Sequence, residues 1–194
     1  LHFLHVTQLR TTIRAAYTVA EVPSRLRRTK DIVLDHHRPA EEPACTFLPI
    51  EDHPALAALA SDDRSRLAKD FEVRTVARGA VIAERGSSRT GLYPILEGRV
   101  RITFEGADAR THRLVSHSAG MSFGEAPMLV GTPFGNEARA ERAVRVAVLR
   151  PERFDMLTEQ APDLELALLE RLAAGAYARM DAAGRAIAVR GGDC

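Results

Sequence analysis

From Val73 to Leu149 the chain runs in short apolar stretches: Val73–Val76, Val81-Ile82, Leu92–Leu96, Val100–Phe104, Arg113–Ser116 and Val144–Leu149. Gly79, Gly86, Gly91, Gly98 and Gly106 punctuate them. Short strands divided by glycines at this spacing predict an all-β barrel or jelly roll. On either side the period changes. His53-Pro54-Ala55-Leu56 starts a helix, and Ser61-Asp62-Asp63 is expected to cap a second one carrying Leu67 and Phe71. After Leu149, Pro151-Glu152-Arg153-Phe154 opens a short helix, with proline in the first turn where it is tolerated. Asp163 to Val189 reads as one long helix. Along it Leu166, Leu169, Ala173, Ala176, Met180, Ala183 and Ile187 recur at steps of three and four, a heptad seam that predicts a homodimer through this helix. Leu168, Leu172 and Tyr177 fall on other faces and are expected to pack on the chain's own barrel. The expected class is mainly β with flanking helices.

The N-terminal stretch has another rhythm. Leu1–Val6 is strand-like, Thr7–Thr12 is polar, and Ile13–Arg28 reads as a helix with Ile13, Ala16, Val19 and Ala20 on one side, kinked or shortened by Pro23. Asp31–Asp35 is a second short strand. Arg25, Arg27, Arg28 and Lys30 suit a solvated C-terminal turn that complements the helix dipole. His36-His37 sits in a polar, proline-bearing linker; adjacent histidines rarely point the same way, and no third metal ligand has useful spacing. His112 and His117 are expected at the surface. The expected units are a partial α/β segment (1–38), a linker (39–48), the β domain with its long helix (49–190) and a tail (191–194).

Composition narrows the function classes. The chain has 194 residues, 45% of them hydrophobic and 27% charged, enough for one or two domains with a real core. A net charge of +1 gives no bulk attraction to nucleic acid or an anionic membrane. Cys45 and Cys194 form neither a disulfide framework nor a CxxC knuckle, which fits a reducing cytoplasm. No apolar run approaches the ~18 residues of a membrane helix, and His2 and His5 interrupt what could be a signal sequence. Leu1 is not a methionine and the first residues already read as a strand, so the chain is expected to be a piece of a larger polypeptide with further domains upstream.

The candidate chemistry lies in Gly120-Met121-Ser122-Phe123-Gly124-Glu125-Ala126 and in Pro133-Phe134-Gly135-Asn136. A Gly-Glu pair opening a short helix sets bare N–H groups beside one carboxylate. Such N–H groups attract an anion, and the carboxylate accepts from sugar hydroxyls, which suits a phosphate joined to a ribose. An arginine is expected nearby as a phosphate clamp, yet Phe134 follows Pro133. Arg139, five residues further on, points the other way in an extended strand. Pro127 removes one N–H and is expected in the first helical turn.

Gly79-Ala80-Val81-Ile82, Gly86, Leu92-Tyr93-Pro94-Ile95-Leu96-Glu97-Gly98-Arg99-Val100, Ala119 to Glu125, and Val144 to Phe154 together resemble the cyclic nucleotide-binding domain of the catabolite-activator type, over about residues 50–188. The resemblance implies a helical lead-in, an eight-stranded jelly roll (a double-stranded β-helix), a phosphate-binding cassette with a short helix, and a long C-terminal helix. It implies ribose binding at Gly124 and Glu125, cassette N–H groups facing a phosphate around Phe123 and Ala126, and a phosphate arginine nine residues after the glutamate. Phe134 stands there, followed by Gly135 and Asn136. The expected ligand behaviour is weak or no binding of cyclic AMP or GMP, with no other cofactor.

Leu1-His2-Phe3, Val6-Thr7 and Leu9, followed by Arg10-Thr11-Thr12, resemble the second half of a STAS domain over the first 35 or so residues, with Arg10 where that family has an acid. STAS-like followed by cyclic nucleotide-like resembles the C-terminal regulatory part of some bacterial glutaminases. That family's Ser-x-x-Lys nucleophile is absent, since neither Lys30 nor Lys69 has a serine three residues before it. The chain is thus expected to be a non-catalytic regulatory module of a larger cytoplasmic protein, with a glutaminase parent as the alternative. A transcription regulator would need a helix-turn-helix after the long helix, and only Arg190 to Cys194 remain.

Overall fold

The structure, a computed structural model, describes residues 47–88, 90–105 and 111–175. The STAS-like segment, residues 39–46 of the linker, the seam positions Ala176, Met180, Ala183 and Ile187, Tyr177 and the tail lie outside the described residues.

Two short 3-10 turns, Ile50–Asp52 and Pro54–Leu56, lead into helix α1 (Ser61–Ala68). Eight strands follow: β1 (Phe71–Val76), β2 (Val81–Ala83), β3 (Tyr93–Glu97), β4 (Arg99–Glu105), β5 (Thr111–Ser118), β6 (Ser122–Phe123), β7 (Glu137–Ala140) and β8 (Val144–Leu149). Helix α2 (Glu125–Val130) lies between β6 and β7, α3 (Pro151–Gln160) follows β8, and α4 covers 162–175. The strands form two antiparallel four-stranded sheets, ordered β1-β8-β3-β6 and β2-β7-β4-β5. This is the expected jelly roll flanked by helices.

Strand alternation explains how one strand serves two cores. In β8, Val144, Val146 and Val148 point between the sheets, onto Ile95, Val100, Ile102, Ala138 and Ala140. Ala147 and Leu149 point to the opposite face, into a helical layer with Leu56, Leu67, Phe154, Leu164, Leu168, Leu169 and Leu172. From Val146 to Leu149 both faces of β8 are buried, so that part of the run is apolar throughout instead of alternating, while Arg145 lies over the Phe47 ring. Each fully buried aliphatic side chain contributes roughly 1.5–3 kcal/mol relative to exposure.

Several expectations change. Helix α1 ends at Ala68, and Phe71 opens β1; its buried ring still packs into the helical layer. Ser61 does not cap: Ala60 is the N-cap and no side chain bonds there, while Asp62 and Asp63 complement the dipole from within the first turn. Strands β6 and β7 are additional. The first has two residues, and the second, Glu-Ala-Arg-Ala, buries only alanines. His117 is 8% exposed on β5 and is not a surface residue. Leu169, assigned to the partner-facing seam, is fully buried in the chain's own core beside Leu168. Helix α4 turns the stripe of Leu164, Leu168, Leu169 and Leu172 inward, leaving Leu166 and Ala173 half-buried at its margin.

Candidate functional site

Strand β6 pairs with β3, Phe123 opposite Tyr93 and Ser122 opposite Pro94. The chain then turns at Gly124, with φ 86° and ψ 0°, straight into α2. Two causes require glycine there. The left-handed backbone disfavours any Cβ, and a Cβ would lie 2.2 Å from the Gly91 carbonyl oxygen and 2.9 Å from Tyr93 Cδ2. Glu125 is the first residue of α2 and is 7% exposed. Ala126 is half-buried. Pro127 lies in the first turn, where its missing N–H leaves no helical acceptor wanting. The helix closes regardless: Met128 N–H donates to Gly124 O at 3.3 Å and Gly131 N–H to Pro127 O at 2.8 Å. Leu129, on the same helix, packs into the helical layer. The cassette is therefore tied to the core that holds α4.

Phe134 has turned inward. It is 5% exposed and belongs to the core between the sheets. Its N–H donates to Ser87 O at 3.0 Å and its carbonyl accepts from Gly86 N–H at 2.8 Å, which fixes the segment against the β2–β3 loop. Its ring meets Phe123 with centroids 6.3 Å apart and planes at 39°. Phe123 in turn stacks on Tyr93 at 4.8 Å and 4°. Tyr93, Phe123 and Phe134 thus form one aromatic row beside the Gly124 turn. Burial pushes the Tyr93 hydroxyl up, partly opposed by the nearby Arg74, a Gly91 backbone bond and Arg150.

Of the sequence candidates, Phe123, Gly124, Glu125 and Phe134 are buried within this cassette region. Gly135 is exposed with open space around it, and Asn136 is half-buried. Arg139 faces outward as its odd offset implies: it pairs with Glu137 at 2.9 Å and donates to Gly79 O at 2.8 Å, while Ala138 and Ala140 point in. No group of three or more His, Cys, Asp or Glu side chains suited to a metal occurs among the described residues. No helix among them is long and apolar enough to cross a membrane.

Sequence reasoning missed His53. It is fully buried, and its Nδ1 accepts the Ala55 N–H at 3.1 Å, capping the Pro54–Leu56 turn. The one available signal was a polar residue just before Pro-Ala-Leu, a capping position. Gly91 was also missed as a contact, because only the packed structure brings its carbonyl against Gly124.

Residues 73–161 match the family model described as cyclic nucleotide-binding domain. Solved structures of the same fold include a cyclic nucleotide-binding domain from Methylobacillus flagellatus KT (21% identity, TM-score 0.64, covering 68% of this chain and 74% of that one). The Thermus thermophilus catabolite activator protein is similar at 22% identity and TM-score 0.61, over 71% of this chain and 63% of that one. The regulatory subunit of a cAMP-independent protein kinase A from Trypanosoma cruzi, solved bound to guanosine, is similar at 24% identity and TM-score 0.53, over 60% of this chain and 41% of that one. No curated protein matches the chain. The described residues form a cyclic nucleotide-binding-type jelly roll, and their similarity to the solved structures is one of fold.

Proposed function

We propose that this domain is a regulatory module whose cassette binds cyclic AMP and cyclic GMP weakly or not at all. The observation that carries the reading is the Phe134 ring, packed with 5% exposure among core side chains at the position where the resemblance expects the phosphate arginine. Losing one buried, paired charge contact costs on the order of 2–5 kcal/mol. At 1.4 kcal/mol per tenfold, a micromolar site then falls to roughly tens of micromolar at best and millimolar at worst. The remaining parts support a sensor-shaped scaffold. Gly124 and Glu125 open α2, and Leu129 links that helix to the layer holding Leu168 and Leu172 of α4. A change at the cassette therefore has a packed route to the C-terminal helix, through which the rest of a larger polypeptide reads it. In this reading a second copy docks along α4, on which Leu166 and Ala173 lie at the margin of the chain's own core.

The test is Phe134→Arg in titration calorimetry. Restored affinity for a cyclic nucleotide, at least tenfold over wild type, is expected if the ribose side of the cassette is intact. Tight binding by wild type overturns the proposal.

A second ligand class is favoured by the guanosine-bound trypanosomal structure. A nucleoside has no phosphate to clamp, so an absent arginine costs it nothing, and a carboxylate at the Glu125 position suits a ribose. Guanosine in the same titration separates this reading from a site with no nucleoside ligand.

A further inference from the structure

The helical layer shares its core with residues of β1, β3 and β8, all on one sheet. The other sheet, β2-β7-β4-β5, buries Val100 and Ile102 of β4 and Ala138 and Ala140 of β7 between the sheets. Strand alternation therefore sets Arg99 and Arg101 of β4 and Arg139 of β7 on its outer face, away from the core that holds Phe134. The irregularity in β4 falls between Ile102 and Thr103, beyond these positions. Arg101 stands opposite Arg139 on one side and Ser116 on the other, and Arg99 stands opposite Ser118. Side chains so opposed have Cβ atoms about 4.5–5.5 Å apart, and like charges placed this way destabilise a sheet.

Only one cation of the opposed pair is compensated. Arg139 pairs with Glu137 at 2.9 Å and donates to Gly79 O at 2.8 Å. The Arg101 side chain has no ion pair or hydrogen bond among the described residues, and its Nε is buried without an acceptor. Arg145 differs in a telling way. Its Nε is also buried without an acceptor, but its guanidinium lies 4.0 Å over the Phe47 ring. No ring does this for Arg101 among the described residues. Arg99 likewise has no ion pair among them. The acids nearest on β7 are engaged, Glu137 by Arg139 and Glu141 in an interaction of its own. Two half-buried arginines thus stand on an outer sheet face with their charges unmatched.

We propose that this face docks an extended acidic segment of a protein partner, whose carboxylates pair with Arg99 and Arg101. A guanidinium fork matches a carboxylate in two parallel hydrogen bonds, and arginine is enriched at protein interfaces. The two arginines are two residues apart on one strand, hence about 7 Å apart at 3.2–3.4 Å per residue. Alternate side chains of an extended partner segment have the same spacing. Strand β5 ends its sheet, and between that edge and the arginines stand the short side chains of Ser116 and Ser118. A glutamate entering from the β5 side reaches across them. The flanking Glu137 and Glu141 disfavour a uniformly anionic surface such as a membrane or a nucleic acid, which would meet both acids at once. The proposal is independent of what the cassette binds, because Arg99 and Arg101 face away from it.

The test is an NMR titration of the full chain with a capped octapeptide of alternating glutamate and threonine. Its glutamine counterpart, inorganic phosphate and vesicles of phosphatidylcholine and phosphatidylserine are run beside it. The expected result is movement of the Arg99 and Arg101 amides and of the Arg101 Nε–H with the glutamate peptide alone, while the Gly124 and Phe134 amides stay in place. Arg101→Gln should weaken the peptide about tenfold or more, the loss of one charge-assisted contact. Its thermal midpoint should be unchanged or raised, since a like-charge opposition is removed. Arg99→Gln should weaken the peptide as well. Absence of movement on β4 at millimolar peptide overturns the proposal, as does an equal response to the glutamine peptide. A response to phosphate or vesicles without one to the glutamate peptide overturns it too. So does a clearly lowered midpoint in Arg101→Gln, which would make that arginine a support of the sheet.

Discussion

Replacing Phe134 by alanine asks whether its ring is core or merely the wall of a ligand site. The ring is 5% exposed and packs with Phe123 inside a cluster that includes Ile95, Val100, Ala138 and Val146. Truncating a buried phenylalanine costs roughly 3–5 kcal/mol, transfer and cavity together, and the tilted ring pair accounts for about 0.5–1.5 kcal/mol of that. The main-chain bonds to Ser87 and Gly86 do not involve the side chain and survive. Domains of this size are stable by about 5–15 kcal/mol, so the loss is a large fraction of the whole. Urea unfolding followed by circular dichroism measures it. At a slope of about 2 kcal/mol per molar, the midpoint falls by roughly 1.5–2.5 M. A loss below about 1 kcal/mol at unchanged slope would refute the reasoning, since removing a ring that borders an open, hydrated site leaves no dry cavity.

Other predictions rest on independent contacts. Gly124→Ala combines a left-handed backbone penalty of about 1–2 kcal/mol with a Cβ 2.2 Å from Gly91 O; lowered stability and shifted amide resonances along β3 and β6 are expected, and a wild-type denaturation curve contradicts the close approach. The Glu72 carboxyl is held at about 2 by hydrogen bonds from Arg74 and Arg150. Its pKa is depressed, so its contribution to stability is complete above the ordinary carboxylate range and is lost as pH falls through about 2; a carboxyl NMR titration giving the usual value near 4.3 shows these pairs do not persist in solution. Leu169→Ala should cost about 2–5 kcal/mol and Leu166→Ala clearly less, because only Leu169 is fully buried; the reverse order in denaturation contradicts the inward rotation of α4.

The jelly roll was readable because its strands carry strong period-two or continuous apolar signals. Strand β8 was located to the residue, from Val144 to Leu149. Strand β7 escaped because alanine is its only buried side chain, and alanine has little β preference. Strand β6 is too short to show a period. The Gly-Glu start of α2 was also legible, since a glycine before a short helix is a local feature; the packing of Phe134 into the core between the sheets was not. The contacts that define the site were not. Gly91 lies far from Gly124 along the chain, and a heptad pattern cannot distinguish the chain's own core from a partner at Leu169. His53 gave a capping signal and nothing about its burial, which only the packed structure shows.

The most direct measurement is titration calorimetry of the wild-type chain with cyclic AMP and cyclic GMP, each carried to millimolar concentration. The account predicts no transition, or a dissociation constant of tens of micromolar or weaker, for both, because the clamp position is occupied by a buried ring. A low-micromolar constant for either nucleotide, at one site per chain, contradicts it.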